Sequence, residues 1–126
     1  MVDNGLIYFA RKGDGETLSD KICMRPDKAN RHGFICGATG TGKSVTLKVL
    51  AESFSQIGVP VFMSDVKGDM AGIAVPGTDS ESMQKRLDRF DIRDSFTFRG
   101  FPVSIFDIYA QNGTPLRTTV PEMGPL

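Results

Sequence analysis

The chain has few of the residues that mark metal-binding or disulfide-stabilised proteins. It contains no tryptophan, one histidine and two cysteines in 126 residues. The cysteines, Cys23 and Cys36, lie in unlike surroundings without the spacing of a metal site, and His32 cannot build a zinc site with them unaided. We therefore expect a reduced, cytoplasmic compartment and a structural hydrogen-bonding role for His32.

Excess charge and long apolar runs are also missing. Lys+Arg and Asp+Glu both number 15, so the net charge is zero and gives no support for a strong nucleic-acid footprint. No apolar run approaches the length of a membrane span, and the opening residues do not follow a signal-peptide pattern, so we expect no membrane partner. The ordinary composition, 40% hydrophobic and 24% charged, indicates one globular domain that can bury roughly two-thirds of its unfolded surface.

The most informative segment of the chain is a glycine-rich motif. Residues 37–44, GATGTGKS, fit the phosphate-loop pattern G-x-x-x-x-G-K-[ST] at every fixed position. The glycines allow unusual dihedrals, so that backbone N–H groups can turn toward the phosphates of a nucleoside triphosphate. Lys43 would reach the β- and γ-phosphate oxygens, and the Ser44 hydroxyl would ligate Mg²⁺. The predicted nucleotide-binding residues are Gly37, Thr39, Gly40, Thr41, Gly42, Lys43, Ser44 and Val45.

The surroundings of the loop predict alternating strands and helices. The apolar residues 33–36 predict a strand before the loop, and apolar side chains on one face predict a helix over 43–57, ended by Gly58. Residues 60–65 predict a second buried strand and 102–107 a third. Strand, helix and strand in this order form a right-handed βαβ unit. The fold class is therefore α/β, a P-loop NTPase with a mainly parallel sheet.

Weaker patterns flank this unit. Residues 6–10 predict a short strand, and Arg99 and Gly100 suggest a hairpin or tight bend between two alternating segments. Ser80 is a candidate helix cap before an apolar stripe that we interpret as core packing, formed by Met83, Leu87 and Phe90. The basic and acidic residues that alternate over 85–94 indicate a solvated helix face.

Four further charged residues are candidates for the site. Asp65 and Asp107 each end a predicted strand, where a carboxylate on the magnesium side would lie. Lys67 could contact phosphate or could be a solvated loop lysine. Arg117 could be an arginine finger that reaches a neighbouring subunit's γ-phosphate.

Several segments around the loop resemble the bacterial HerA-like ATPases. The resemblance is carried by NRHG at 30–33, GATGTGKS at 37–44, VTL at 45–47, AESF at 51–54, GVPVF at 58–62 and DVKGD at 65–69. It resumes with FPV at 101–103 and with PLRTTV and GPL near the end of the chain. The chain is thereby similar to the HerA–FtsK superfamily of P-loop DNA translocases.

The resemblance implies more than the loop does. It implies a RecA-like core that uses ATP and Mg²⁺, with Lys43 and Asp65 as catalytic residues and with Ser44 and Asp65 at the metal. It also implies hexameric rings that move duplex DNA. We expect residues 1–30 to be an amino-terminal extension and residues 31–126 to be the first part of the ATPase core.

One family feature is absent from the sequence. No Asp-Glu pair occurs, although members of the family have an apolar strand that ends in one. We therefore expect the chain to be the amino-terminal part of a longer ATPase and, by itself, to bind nucleotide weakly and hydrolyse it poorly. Two alternatives remain open at this stage: a small P-loop phosphotransferase and a nucleotide-binding switch that does not hydrolyse.

Overall fold

The computed structural model describes residues 2–13, 17–109 and 111–116, which form two small sheets and two α-helices. In chain order the elements are β1 (Val2–Asp3), β2 (Leu6–Gly13), β3 (Leu18–Met24), α1 (Lys43–Gln56), α2 (Glu81–Phe90), β4 (Phe106–Asp107) and β5 (Thr114–Pro115). Short 3-10 turns lie at Pro26–Lys28, Ala71–Ala74 and Arg93–Ser95. Within the described ranges, no helix has both the length and the apolar character needed to cross a membrane.

The amino-terminal sheet is antiparallel, in the order β1-β2-β3. The strand predicted at 6–10 is confirmed and extends to Gly13. Asn4 and Gly5 connect β1 to β2 with φ of 48° and 75°. Two consecutive positive φ values belong to the tight hairpin turn for which Asn-Gly is the usual sequence. This turn fixes the register in which Val2 faces Ile7.

The main apolar cluster joins β2 to α2. Tyr8, Leu87 and Ile92 are buried together, and the partly buried side chains of Met83, Phe90 and Phe96 pack against them. The prediction that the Met83, Leu87 and Phe90 stripe is core is therefore confirmed. Ile7, next to Tyr8, is also fully buried, and because successive strand residues face opposite sides, β2 is covered on both faces.

Polar contacts fix α2 at both ends. The Ser80 Oγ accepts a hydrogen bond from the Met83 N–H at 3.2 Å, so the predicted N-cap is confirmed. At the other end, the Tyr8 hydroxyl donates to the Phe90 carbonyl at 3.3 Å, and Arg11 pairs with Asp91 at 3.1 Å. These contacts attach the amino-terminal sheet to the end of the helix.

The charged face of α2 is solvated, as predicted. The Arg93 Nε lies 2.6 Å from the Asp88 carboxylate, and the Lys85 Nζ lies 2.6 Å from Glu81. All four side chains are largely exposed, so these pairs contribute little to stability.

The helix predicted over 43–57 is confirmed as α1, Lys43–Gln56. Its end is a Schellman motif. The Val59 N–H donates to the Phe54 carbonyl at 2.9 Å, and the Gly58 N–H donates to the Ser55 carbonyl at 3.0 Å. Gly58 has φ of +80°, the left-handed conformation that this motif requires.

The predicted strands beside the phosphate loop differ from the structure. Residues 33–36 and 60–65 are in neither helix nor strand, and only Phe106–Asp107 of the third segment pairs, in parallel, with Thr114–Pro115. An apolar run becomes a strand only when a neighbour pairs with its backbone, and the described residues supply none at 33–36 or 60–65. Whether these segments belong to a RecA-like parallel sheet therefore stays a prediction.

The segment around Arg99 and Gly100 does not form a hairpin, because no strand occurs on either side of it within 96–105. The Phe101 N–H donates instead to the Ile73 carbonyl at 3.0 Å. A Cβ built on Gly100 would lie 2.4 Å from the Ala74 carbonyl oxygen. Glycine is thus required here by the close approach of two backbone segments, not by a hairpin turn.

Candidate functional site

The phosphate loop forms a compact turn at the start of α1. The Thr41 N–H lies 3.4 Å from the Ala38 carbonyl, and the Thr41 hydroxyl donates to the same oxygen at 2.8 Å. Gly40 and Gly42 have φ of +84° and +94°, values that strain residues with a Cβ. Two of the three glycines in the loop are therefore explained by backbone conformation.

The remaining loop glycine, Gly37, is explained by its contact with Thr41. A Cβ on Gly37 would lie 2.5 Å from the Thr41 Oγ1, so any side chain there would displace the hydroxyl that bonds the Ala38 carbonyl. Thr41 thus closes the loop through its hydroxyl as well as through its backbone.

Lys43 folds back across the loop. Its Nζ donates to the Gly37 carbonyl at 2.8 Å and to the Ala38 carbonyl at 2.7 Å. These two oxygens offer the partial negative charge that phosphate oxygens would offer more strongly. The ammonium group is thus held over the loop by the Gly37 and Ala38 carbonyls.

The backbone N–H groups of the loop remain available. Thr41 is the only residue of 39–45 whose N–H donates to another described residue, and helical bonding starts with the Thr46 N–H to the Gly42 carbonyl at 2.9 Å. No side chain caps α1, and its first turn holds no acidic residue. The N–H groups of residues 42–45 therefore form the positive end of the helix dipole without a partner among the described residues, and those of Thr39 and Gly40 have no partner there either.

Asp65 anchors the loop that follows it. Its two oxygens accept hydrogen bonds from the Gly68 N–H at 2.8 Å and the Met70 N–H at 2.9 Å. The Met70 N–H bond is the main cause that lowers the pKa of the Asp65 carboxyl, and the other loop N–H groups add to it. The side chain is thus ionised at neutral pH, as a magnesium-side carboxylate must be.

Asp107 has the same arrangement as Asp65. It accepts from the backbone N–H groups of Tyr109, Gln111 and Asn112, each at 2.9 Å, and these bonds lower its pKa, with Asn112 as the largest cause. Asp65 and Asp107 line one cavity of about 1160 Å³, to which no residue of 37–45 contributes. The structure therefore brings the two carboxylates to one cavity, and it places the phosphate loop outside that cavity.

Within the described residues, neither Lys67 nor His32 forms a hydrogen bond with the phosphate loop. Lys67 is exposed, in agreement with its interpretation as a solvated lysine. His32 is exposed, and its structural hydrogen-bonding role stays a prediction. Arg117 lies outside the described residues. Over the described ranges, no cluster of three or more His, Cys, Asp or Glu side chains could hold a metal ion.

Sequence reasoning missed the Ala38 carbonyl, which accepts from both Lys43 and Thr41. No residue type signals such a role, because every residue has a backbone carbonyl. It also missed the anchoring role of Asp65, for which a signal exists: in Asp-Val-Lys-Gly, the aspartate is placed to bond backbone N–H groups a few residues on.

Comparison with known proteins adds one finding to this geometry. A family model described as "Helicase HerA-like C-terminal" matches residues 11–126, which include the phosphate loop, α1, α2 and both aspartates. Neither curated proteins nor solved structures yield a match. Because the family model spans most of the sequence, the chain belongs to the HerA-like C-terminal helicase family.

Proposed function

We propose that the chain binds the phosphates of ATP at residues 37–45. The observation that carries this proposal is the pairing of unpartnered N–H groups in 39–45 with a lysine whose Nζ rests on the Gly37 and Ala38 carbonyls. Phosphate oxygens would accept from these N–H groups, and Lys43 would exchange two neutral carbonyls for charged oxygens. We choose ATP among the nucleoside triphosphates because of the family membership, since the loop would bind the phosphates and not the base.

The same proposal assigns the metal side of the site. Ser44, in the first turn of α1, and Asp65, held ionised by its loop, would hold Mg²⁺, which neutralises charge on the phosphates, although Asp65 lines a cavity to which no residue of 37–45 contributes. Oxygen donors of this kind suit a hard divalent cation. Asp65 retains lone pairs beyond the two that its loop N–H groups occupy, so it can serve the loop and a metal-bound water together.

We further propose that ATP hydrolysis in the complete protein drives movement along DNA and that the protein acts as a homo-oligomer, in the manner of a hexameric ring. The support is the helicase family to which the chain belongs. The phosphotransferase alternative gains nothing from the structure, because Lys85 and Arg93, two of the basic residues that a lid would need, pair with Glu81 and Asp88.

Calorimetric titration of the chain with ATP and Mg²⁺ tests the proposal. Lys43→Ala should weaken binding by at least tenfold, since a point charge on phosphate is lost, and should leave the far-UV spectrum unchanged because the side chain fills no core. Lys48→Ala, on the same helix beyond the loop, is the matched control. Equal affinity in wild type and Lys43→Ala, or equal losses in both variants, would refute the assignment.

A further inference from the structure

A second cavity, of about 640 Å³, lies apart from the phosphate loop. It is bounded by the amino-terminal sheet, by the second half of α1 and by the segment 95–101. Its volume falls in the range of small-molecule sites. No residue of 37–45 lines it, so it is distinct from the site proposed above.

One wall of this cavity is aromatic. Phe96 and Phe98 pack edge to face, with ring centroids 5.0 Å apart, and the Arg99 guanidinium lies over the Phe101 ring at 4.6 Å. All four residues line the cavity. A phenyl face that is open to the cavity, unlike the Phe101 face that Arg99 covers, would stack on the planar heterocycle of any base.

The cavity lining also includes a carboxyl group. Glu52, on α1, lines the cavity and is half-buried. Burial raises the pKa of its carboxyl, although the charges of Arg99 and Lys48 oppose the shift. The Glu52 carboxyl can accept a hydrogen bond when it is ionised and donate one when it is protonated. It can therefore pair with the donor and acceptor groups on the polar edge of a nucleobase.

The charges of the cavity lining cancel. Lys21 and Arg99 are cations, and Asp3 and Glu52 are acids. A balanced lining does not attract a polyanion by charge alone, so a ligand with few charges and a large planar ring fits it better than a bare phosphate chain.

We propose that this cavity binds a nucleobase, which stacks on the phenyl rings and hydrogen-bonds to Glu52, while Lys21 or Arg99 contacts its phosphate. The inference rests on the proposed function, in which the chain handles nucleotides and DNA. The base can come from a free nucleotide or from a single strand of DNA. Glu52 lies on the helix that starts at Lys43, about 13 Å further along its axis, so both sites share one rigid element.

The two cysteines allow a direct test. Both are exposed, but Cys23 lines the cavity and Cys36 does not. In the Lys43→Ala background, which removes the phosphate-loop site, alkylation of each thiol is timed by mass spectrometry. The probes are adenosine monophosphate, a ten-nucleotide oligo(dA) and an abasic oligonucleotide of equal length.

A base-bearing probe should slow alkylation of Cys23 and leave Cys36 unchanged, whereas the abasic strand should protect neither. Protection by the mononucleotide identifies a free nucleotide as the source, and protection by oligo(dA) alone identifies single-stranded DNA. Equal protection by the abasic strand, or no selective protection by any probe, would overturn the proposal.

Variants in the cavity make the test specific. Phe98→Leu keeps apolar volume but removes a stacking face, and Glu52→Gln removes the carboxyl, so each should weaken binding of the protecting probe about fivefold or more. The controls are Phe62→Leu and Glu81→Gln, both outside the cavity. Equal losses in variants and controls would refute the assigned contacts.

The outcomes separate this inference from the proposed function. If the wild-type chain binds ATP and Mg²⁺ but Cys23 is never selectively protected, the cavity proposal alone fails. If ATP binding is absent but a base-bearing probe protects Cys23, the phosphate-loop proposal alone fails.

Discussion

The amino-terminal sheet with α2 and the apolar segments beside the phosphate loop are built from similar residues but are buried to very different extents. In the first region Ile7 is 0% and Leu87 3% exposed. In the second, Phe34 is 89%, Phe62 87% and Val66 96% exposed. Antiparallel strands joined by tight turns find their partners within a few residues, whereas parallel strands need partners from distant parts of a chain. Local sequence therefore suffices for the pairing of β1, β2 and β3 and not for the pairing of the segments beside the loop.

This difference separates the residues that stabilise the fold from those of the proposed phosphate site. The buried cluster around Leu87 stabilises the fold, while the phosphate loop holds its conformation through the Thr41 and Lys43 bonds to backbone carbonyls. Mutations in the cluster around Leu87 should therefore change the free energy of unfolding, and mutations in the phosphate loop should change the affinity for ATP.

The largest expected effect on stability is at Leu87. Leu87→Ala should lower the free energy of unfolding by about 2–5 kcal/mol, because it leaves a cavity between β2 and α2. Phe62→Ala, at an exposed position, should change it by less than about 0.5 kcal/mol. Denaturant titration followed by circular dichroism measures both, and similar losses for the two variants would mean that Phe62 is buried in solution.

A smaller effect is expected at the N-cap of α2. Ser80→Ala should cost about 1 kcal/mol of stability, since the Met83 N–H loses its acceptor. Ser80→Asp retains an acceptor and is the matched control. The same denaturant titration applies, and a loss as large in Ser80→Asp as in Ser80→Ala would contradict the capping role.

The exposed segments predict self-association. Phe34, Phe62 and Val66 expose apolar surface of the kind that marks a contact site. We expect sedimentation velocity to show association that rises with protein concentration, and Phe62→Glu should reduce it without changing stability. A chain that is monomeric at every concentration would contradict the prediction that these exposed segments form a contact site.

The smallest expected effect is the pH dependence of the stability that Asp107 contributes. The folded-state pKa of Asp107 is lowered below its ordinary value of 3.8, so its contribution is present above that pH and is lost as the pH falls through the folded-state pKa. Asp107→Asn should therefore be less stable than wild type at pH 7, and the difference should shrink below pH 4. Thermal unfolding at both pH values checks this, and a pH-independent difference would contradict it.

The sequence predicted those parts of the fold whose determinants are local. The glycines and lysine of residues 37–44 predicted the loop, the apolar stripe predicted α2, and Gly58 predicted the end of α1. The positions of residues 33–36 and 60–65 were not predictable in this way, because pairing depends on distant partners. The hairpin predicted at Arg99 and Gly100 is absent, because glycine is required at position 100 by its contact with the distant Ala74 and not by a turn.

The candidate site was predictable where its residue types, in their sequence pattern, have one dominant structural or chemical role. Lys43 and the loop glycines met that condition. Asp65 did not, because an aspartate after an apolar run can bond its own loop, bind a metal or do both, and its two loop hydrogen bonds became evident only in three dimensions.

The central claim, that free N–H groups and Lys43 form a phosphate site, is tested most directly by amide chemical shifts. The ¹⁵N-labelled chain is titrated with ATP and Mg²⁺, and the backbone amides of 39–45 are followed alongside those of Ile7 and Leu87. We predict that the loop amides shift most, that the two core amides stay in place and that Lys43→Ala abolishes the shifts. Loop amides that do not move while ATP binds, or that move equally in Lys43→Ala, would contradict the account.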